Sequence, residues 1–384
     1  MNGAFRLRTH LHTSDEVRDT RWTGRRGARY DVLDWADLLR AGIFSSIATR
    51  PDVDALRMEG EVRAAHTSVA FKTDGDGTPF LRATYAESLR DSSRAGRAGD
   101  FGQAVGWLMT QQILGLPYVV DYEQFCKAVG HPHVGASRRP DYVAFASLEA
   151  TRFTLVECKG RWYTDVSRST PGEWRAVLTD AHKQCESAWK HFARRPVLRS
   201  RGMERLVSIA ALAHVSGPSG LVAHAMEDKR EVDEWQLSNQ SRRSLSRLVY
   251  RQWGAATGNS DLLAALTKGT LSDVTVRGEQ YGDGGSAHFL PWFANDGGAP
   301  PFVLSEMALG LQVAPARPRF RHAIARWALR RALGYSQAKG AQIQATPPQP
   351  ESRIRTYGDG TAVVDTENLE MRPRTLAEFV EGDK

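Results

Sequence analysis

The sequence predicts an α/β or α+β protein built on a mixed central sheet flanked by helices, and three observations carry that prediction. Between residues 100 and 230 the hydrophobic period switches between helical and strand-like, giving the order helix, three strands, helix, two strands. Both helical stretches there carry an apolar stripe on one face, as a helix laid on a sheet does. No run approaches the ~18 apolar residues of a membrane helix, while 41% hydrophobic and 25% charged residues are the values of a globular chain.

The elements follow in chain order. Residues 1–97 combine scattered arginines, short apolar runs and the turn-like TDGDGTP at 73–79, and read as a small N-terminal mixed lobe. SSRAGRAG at 92–99 reads as a hinge, since glycine, alanine and exposed arginine offer little to pack. A core then spans 98–230. Asp100 is placed to cap a helix, with Gln103 three residues on and Phe101, Ala104, Val105 and Leu108 on one face. That helix should end near Gly115. PYVVDY, DYVAFA and FTLVEC read as strands, with SLEAT as the hairpin connection between the last two. At STPGEW, Thr170 is the cap, Pro171 suits the first helical position and Glu173 completes a capping box. Trp174, Val177, Leu178, Ala181, Cys185, Ala188, Trp189 and Phe192 then form one buried stripe. RLVSIAALAHV and GLVAHAM, on either side of SGPSG, supply two more strands. Residues 231–340 read as a mostly helical, arginine-rich region, and 341–384 as a proline-rich linker and tail with one hairpin around Gly358 to Gly360.

A formal charge of +7 favours polyanionic partners. Arg243, Arg247 and Arg251 fall on one helical line, and a second cluster, six arginines between 317 and 331, includes Arg326 and Arg330. Either set could touch phosphates; a solvated face whose arginine stems cover apolar neighbours accounts for them equally well. The basic N-terminus has no apolar central region, which argues against a secretory signal and for a cytoplasmic, non-membrane protein. Cys126, Cys158 and Cys185 make no disulfide framework and have no zinc-finger spacing, which argues against structural zinc. No glycine-rich phosphate loop and no Gly-x-Ser-x-Gly elbow points to a small-molecule enzyme.

The stretch RRPDYVAFASLEATRFTLVECKGRW carries the chemistry. If its two strands pair about residue 149, partners have numbers that sum to 298, so Asp141 faces Glu157, Val143 faces Leu155 and Phe145 faces Phe153. Opposed Cβ atoms lie ~4.5–5.5 Å apart, close enough for two carboxylates to share a divalent ion. Lys159 falls on the same face as Glu157, while the Cys158 side chain points away and leaves its carbonyl as a further oxygen ligand. The plainer alternative is a surface cluster in which Lys159 neutralises the acids. Between two carboxylates the pKa of Lys159 should rise, which suits it to orienting water and stabilising charge rather than to acting as a base. Tyr142 is assigned to packing, and His182 and Lys183 to a solvated helix face.

Pro140-Asp141 followed by Glu157-Cys158-Lys159, within this element order, resembles the PD-(D/E)XK nuclease superfamily over roughly residues 98–228. The resemblance implies a restriction-endonuclease-like fold and Mg²⁺-dependent hydrolysis of phosphodiester bonds, with Mn²⁺ suiting the same oxygen ligands. It implies Asp141, Glu157 and the Cys158 carbonyl as metal ligands and Lys159 as the catalytic cation. Gln184 stands where some relatives carry a glutamine near the phosphate, or is an ordinary polar boundary residue. DNA is the favoured substrate over RNA, in restriction, anti-phage defence or repair, with a homodimer or a partner ATPase or helicase as possible company. The alternative is a catalytically silent module that binds nucleic acid or scaffolds a complex.

Overall fold

The computed structural model of the protein describes residues 4–133 apart from 20, 25–26 and most of 48–68; 138–193 apart from 166–168; 202–268 apart from 216–219 and 257–259; and 275–281, 288–289, 302–308, 320–333, 354–365 and 370–375. Contacts divide it into two units, Met1–Ser45 with His66–Leu245, and Ser46–Ala65 with Ser246–Lys384. Among the described residues no helix is long and apolar enough to cross a membrane.

The first unit begins with β1 (Ala4–Thr13), a one-turn helix α1 (Ser14–Arg18), β2 (Ala28–Asp34) and α2 (Trp35–Ser45). Thr13 closes α1 with a capping box: Glu16 N–H donates to its hydroxyl at 3.2 Å, and its own N–H donates to Glu16 Oε2 at 2.8 Å. A short hairpin, β3 (Phe71–Thr73) and β4 (Pro79–Leu81), turns at TDGDGTP. Then follow α3 (Ala83–Ser88), α4 (Asp91–Gln112), β5 (Tyr118–Asp121), α5 (Tyr122–Ala128), β6 (Tyr142–Phe145) and β7 (Phe153–Tyr163). The long helix α6 (Pro171–Ala193) crosses to β8 (Met203–His214), which turns back into β9 (Leu221–Lys229).

Seven of these strands form one mixed sheet in the order β2-β1-β9-β8-β7-β6-β5. β7 and β8 run parallel because α6 intervenes, whereas β8 and β9, β6 and β7, and β5 and β6 are antiparallel. The expected order of helix, three strands, helix and two strands is present, with α5 added between the first two strands. Residues 1–97 are not a lobe apart from this sheet: β1 pairs in parallel with β9, from Arg8 opposite Val222 to Thr13 opposite Glu227. Leu221 to Met226 are all buried, so β9 needs a neighbour on that side. β2 is the end strand, with Tyr30 53% and Val32 46% exposed.

Nor is 92–99 a hinge. α4 starts at Asp91, and Asp100 lies inside it rather than capping it. Gly96 and Gly99 lie inside the helix with open space around them, and three other glycines let it lie directly on β7: a Cβ on Gly102 would stand 2.3 Å from Gly160 N, one on Gly106 2.1 Å from Cys158 Sγ, and one on Gly160 1.6 Å from the Ala98 carbonyl oxygen. On its other side α4 meets α2, where the buried Arg40 donates to Gln111 Oε1 at 2.8 Å and Phe44 packs on Trp107. α6 covers the opposite sheet face. Pro171 is its first residue, Glu173 N–H donates to Thr170 Oγ1 at 3.4 Å, and Val177, Leu178, Ala181, Cys185, Ala188 and Phe192 are buried.

Helix α7 (Asn239–Ala256) spans the boundary between the units, and α8 (Ser260–Lys268) follows. Beyond them the described residues of the second unit are mostly strands rather than helices. Its described residues form β10 (Thr275–Tyr281), β11 (His288–Phe289), β12 (Phe302–Ala308), β13 (Phe320–Ala325), α9 (Arg326–Ala332), β14 (Ile354–Thr356), β15 (Thr361–Asp365) and β16 (Glu370–Thr375), in sheets ordered β11-β10-β16 and β12-β13-β15-β14. The period-two run Phe320, His322, Ile324 belongs to a strand although arginines interrupt it. β14 and β15 make the hairpin expected around Gly358 to Gly360. The proline-rich stretch before it lies outside the described residues.

Candidate active site

β6 and β7 pair as Tyr142 with Val156, Val143 with Leu155 and Ala144 with Thr154, each pair summing to 298. One step further along the same register sets Asp141, immediately before β6, opposite Glu157. Their backbone and side chains lock together: Asp141 N–H donates to Glu157 Oε2 at 2.9 Å, and Cys158 N–H donates to Asp141 Oδ2 at 2.9 Å. The Asp141 carbonyl accepts from Tyr122 N–H at 3.0 Å, so the start of α5 fixes the same turn. Each carboxylate thus keeps one oxygen tied to an amide and turns the other toward a side-chain donor. Lys159 Nζ lies 2.5 Å from Glu157 Oε1, and Gln103 Nε2, from α4, donates to Asp141 Oδ1 at 3.4 Å.

The electrostatics are those of two buried acids that share one ammonium group. Burial, opposed by the Cys158 amide and Lys159, raises the Asp141 pKa. Glu157, 2% exposed, is pushed up to about 8 by burial first and by the Asp141 charge second, against the pull of Lys159. The two carboxyls and the Cys158 carbonyl are oxygen donors of the kind that could hold a divalent ion. Cys158 sends its thiol toward Gly106, where burial raises its pKa well above the ordinary value, so only its backbone belongs to the site.

The other expected residues fall out as follows. Tyr142 packs on Trp107 with ring centroids 5.1 Å apart, in the packing role assigned to it. Gln184 is half-buried on α6, and among the described residues its amide meets no hydrogen-bond partner. Lys183 is exposed, but His182 is buried rather than solvated, with Nε2 3.2 Å from Asp228 Oδ2. Arg243 and Arg247 are exposed on α7, Arg251 and Arg330 half-buried, and the Arg326 side chain lies outside the described residues.

Two residues near the acids escape a reading of the sequence. Gln103 looks like a capping partner of Asp100 until the true start of α4 is known. Arg161, exposed and two residues beyond Lys159 on the same strand face, has no carboxylate partner among the described residues. Its alternation with Glu157 and Lys159 was the available signal. Comparison of the chain with protein-family models, with curated proteins and with solved structures finds no match.

Proposed function

We propose that this chain is a metal-dependent nuclease of the PD-(D/E)XK type, with a restriction-endonuclease-like core, that hydrolyses phosphodiester bonds of DNA. The observation that carries the reading is the meeting of Asp141 and Glu157 across one strand register with Lys159 beside them. Asp141, Glu157 and the Cys158 carbonyl would hold Mg²⁺ or Mn²⁺, which when bound lowers the pKa of a water and offsets phosphate charge. Lys159 is the one cation inside the cluster and is 24% exposed, so it can both orient a water and meet a phosphate oxygen. Gln103 restrains the Asp141 carboxyl from the helix side. Arg161 and Lys183 add exposed positive charge for the nucleic-acid backbone, and Arg243 and Arg247 extend the list on α7. Gln184 is assigned to the phosphate on the strength of its unpaired amide.

The test is incubation of the purified protein with linear, circular and single-stranded DNA in Mg²⁺, Mn²⁺ or EDTA, alongside Asp141→Asn and Lys159→Ala. Cleavage should require the divalent ion and fall by at least ~10²-fold in Lys159→Ala, with DNA affinity retained. Substrates left intact by the wild-type protein in every condition, with DNA still bound, would favour a silent binding module.

A further inference from the structure

Away from the acids, one group of three metal-capable side chains is found among the described residues: His10, His12 and His224. His10 and His12 lie two apart on β1 and so share a face; His224 is the register partner of His10 on β9. All three are buried, at 2%, 4% and 0% exposure. One ring nitrogen from each lies within 4.8 Å of the others, and His12 Nε2 stands 3.2 Å from His224 Nδ1. Two nitrogens bound at ~2.0–2.1 Å to a tetrahedral zinc stand roughly 3.3–3.4 Å apart, so this pair already has the spacing.

Hydrogen bonding leaves one ring of the group, His224, incompletely satisfied. The Trp22 indole N–H donates to His12 Nδ1 at 3.4 Å, His12 Nε2 faces His224 Nδ1, and His224 Nε2 is buried without a hydrogen-bond partner. Burial also keeps His12 and His224 neutral: it takes His12 down to about 4 and His224 well below its ordinary value. Neutral imidazole is the form that binds metal. His12 borders a cavity of about 430 Å³ lined also by Glu16, Asp19 and Trp22.

We propose that His10, His12 and His224 form a binding site for a transition-metal cation of the Zn²⁺ class, which clasps β1 to β9. An all-nitrogen donor set selects such an ion over Mg²⁺ or Ca²⁺. The site is separate from the two acids. Lys159, Ala210, His224 and His10 form one register row across β7, β8, β9 and β1, three strand spacings or about 14 Å. That is far beyond the ~3.5–4 Å of a two-metal centre.

The protein, stripped with chelator and then held in excess Mg²⁺ so that the acids are occupied, is titrated with Co²⁺ while its visible absorption is followed, and Zn²⁺ is then added in competition. The expected result is one Co²⁺ per chain, displaced by Zn²⁺ and not by Mg²⁺, and unchanged in Asp141→Asn. His12→Gln and His224→Gln, checked for folding by circular dichroism, should bind at least ~10–100-fold more weakly. Should either variant fail to fold, amide exchange of residues 4–13 in the wild-type protein decides: it should slow on adding Zn²⁺. Absence of Co²⁺ uptake by the wild type, equal uptake by a folded histidine variant, or exchange in β1 indifferent to Zn²⁺ would overturn the proposal.

Discussion

Glu157 sits at the point where charge and burial conflict most directly. Its carboxyl titrates near 4.5 in an unfolded chain and at about 8 in the folded one, so between those values the folded state binds the extra proton. Without divalent ions, stability should therefore fall as pH rises from about 4.5 through about 8, the reverse of an ordinary ion-paired acid. Thermal unfolding in EDTA across that range should show the decline, Glu157→Gln should flatten it, and Mg²⁺ should restore stability most at the alkaline end. The facing of the two acids was legible in sequence because alternation fixes a register and the apolar pairs flanking them agree with it. Gln103 was not, since its role depends on where a helix begins. The histidines were not either, because His224 is brought to His10 only by a strand pairing more than 200 residues apart in the chain.

At the scale of elements, α4 on β7 shows how glycine misleads. In SSRAGRAG, Gly96 and Gly99 suggest a hinge, yet both lie within the helix, and just beyond them Gly102 and Gly106, with Gly160 of the strand, form a contact where any side chain meets backbone or Cys158. Gly160→Ala should cost about 3 kcal/mol, the upper end for overpacking, because the added carbon meets a carbonyl oxygen that cannot move away cheaply. Gly96→Ala is the internal control. Nothing lies within 4 Å of its Cβ, and the change should stabilise by ~0.5–1 kcal/mol through helix propensity. Urea midpoints of the two variants should move in opposite directions. α6, by contrast, was legible almost to the residue, since its cap, its Pro171 and its apolar stripe all state the same helix.

For the molecule as a whole, local patterns revealed the core elements but not their neighbours. A boundary near residue 98 seemed natural from composition, whereas the sheet takes β1 and β2 from the first 34 residues. A fragment of residues 98–230 should accordingly fail to fold, leaving β9 with an uncovered apolar flank, while the full chain gives a cooperative transition; circular dichroism and solubility of the two distinguish the cases. Apart from the hairpin around Gly358 to Gly360, the strands beyond residue 270 were missed for a related reason: arginines break their alternation, and their partners lie far along the chain, as when β10 pairs with β16. The far end of the large sheet has one more consequence. β2 is its last strand, with Tyr30 and Val32 exposed on one face and the Arg29 to Asp31 ion pair on the other. In a crowded expression host this margin is where filaments would seed, and Val32→Lys is the gatekeeper that would make the protein easier to concentrate.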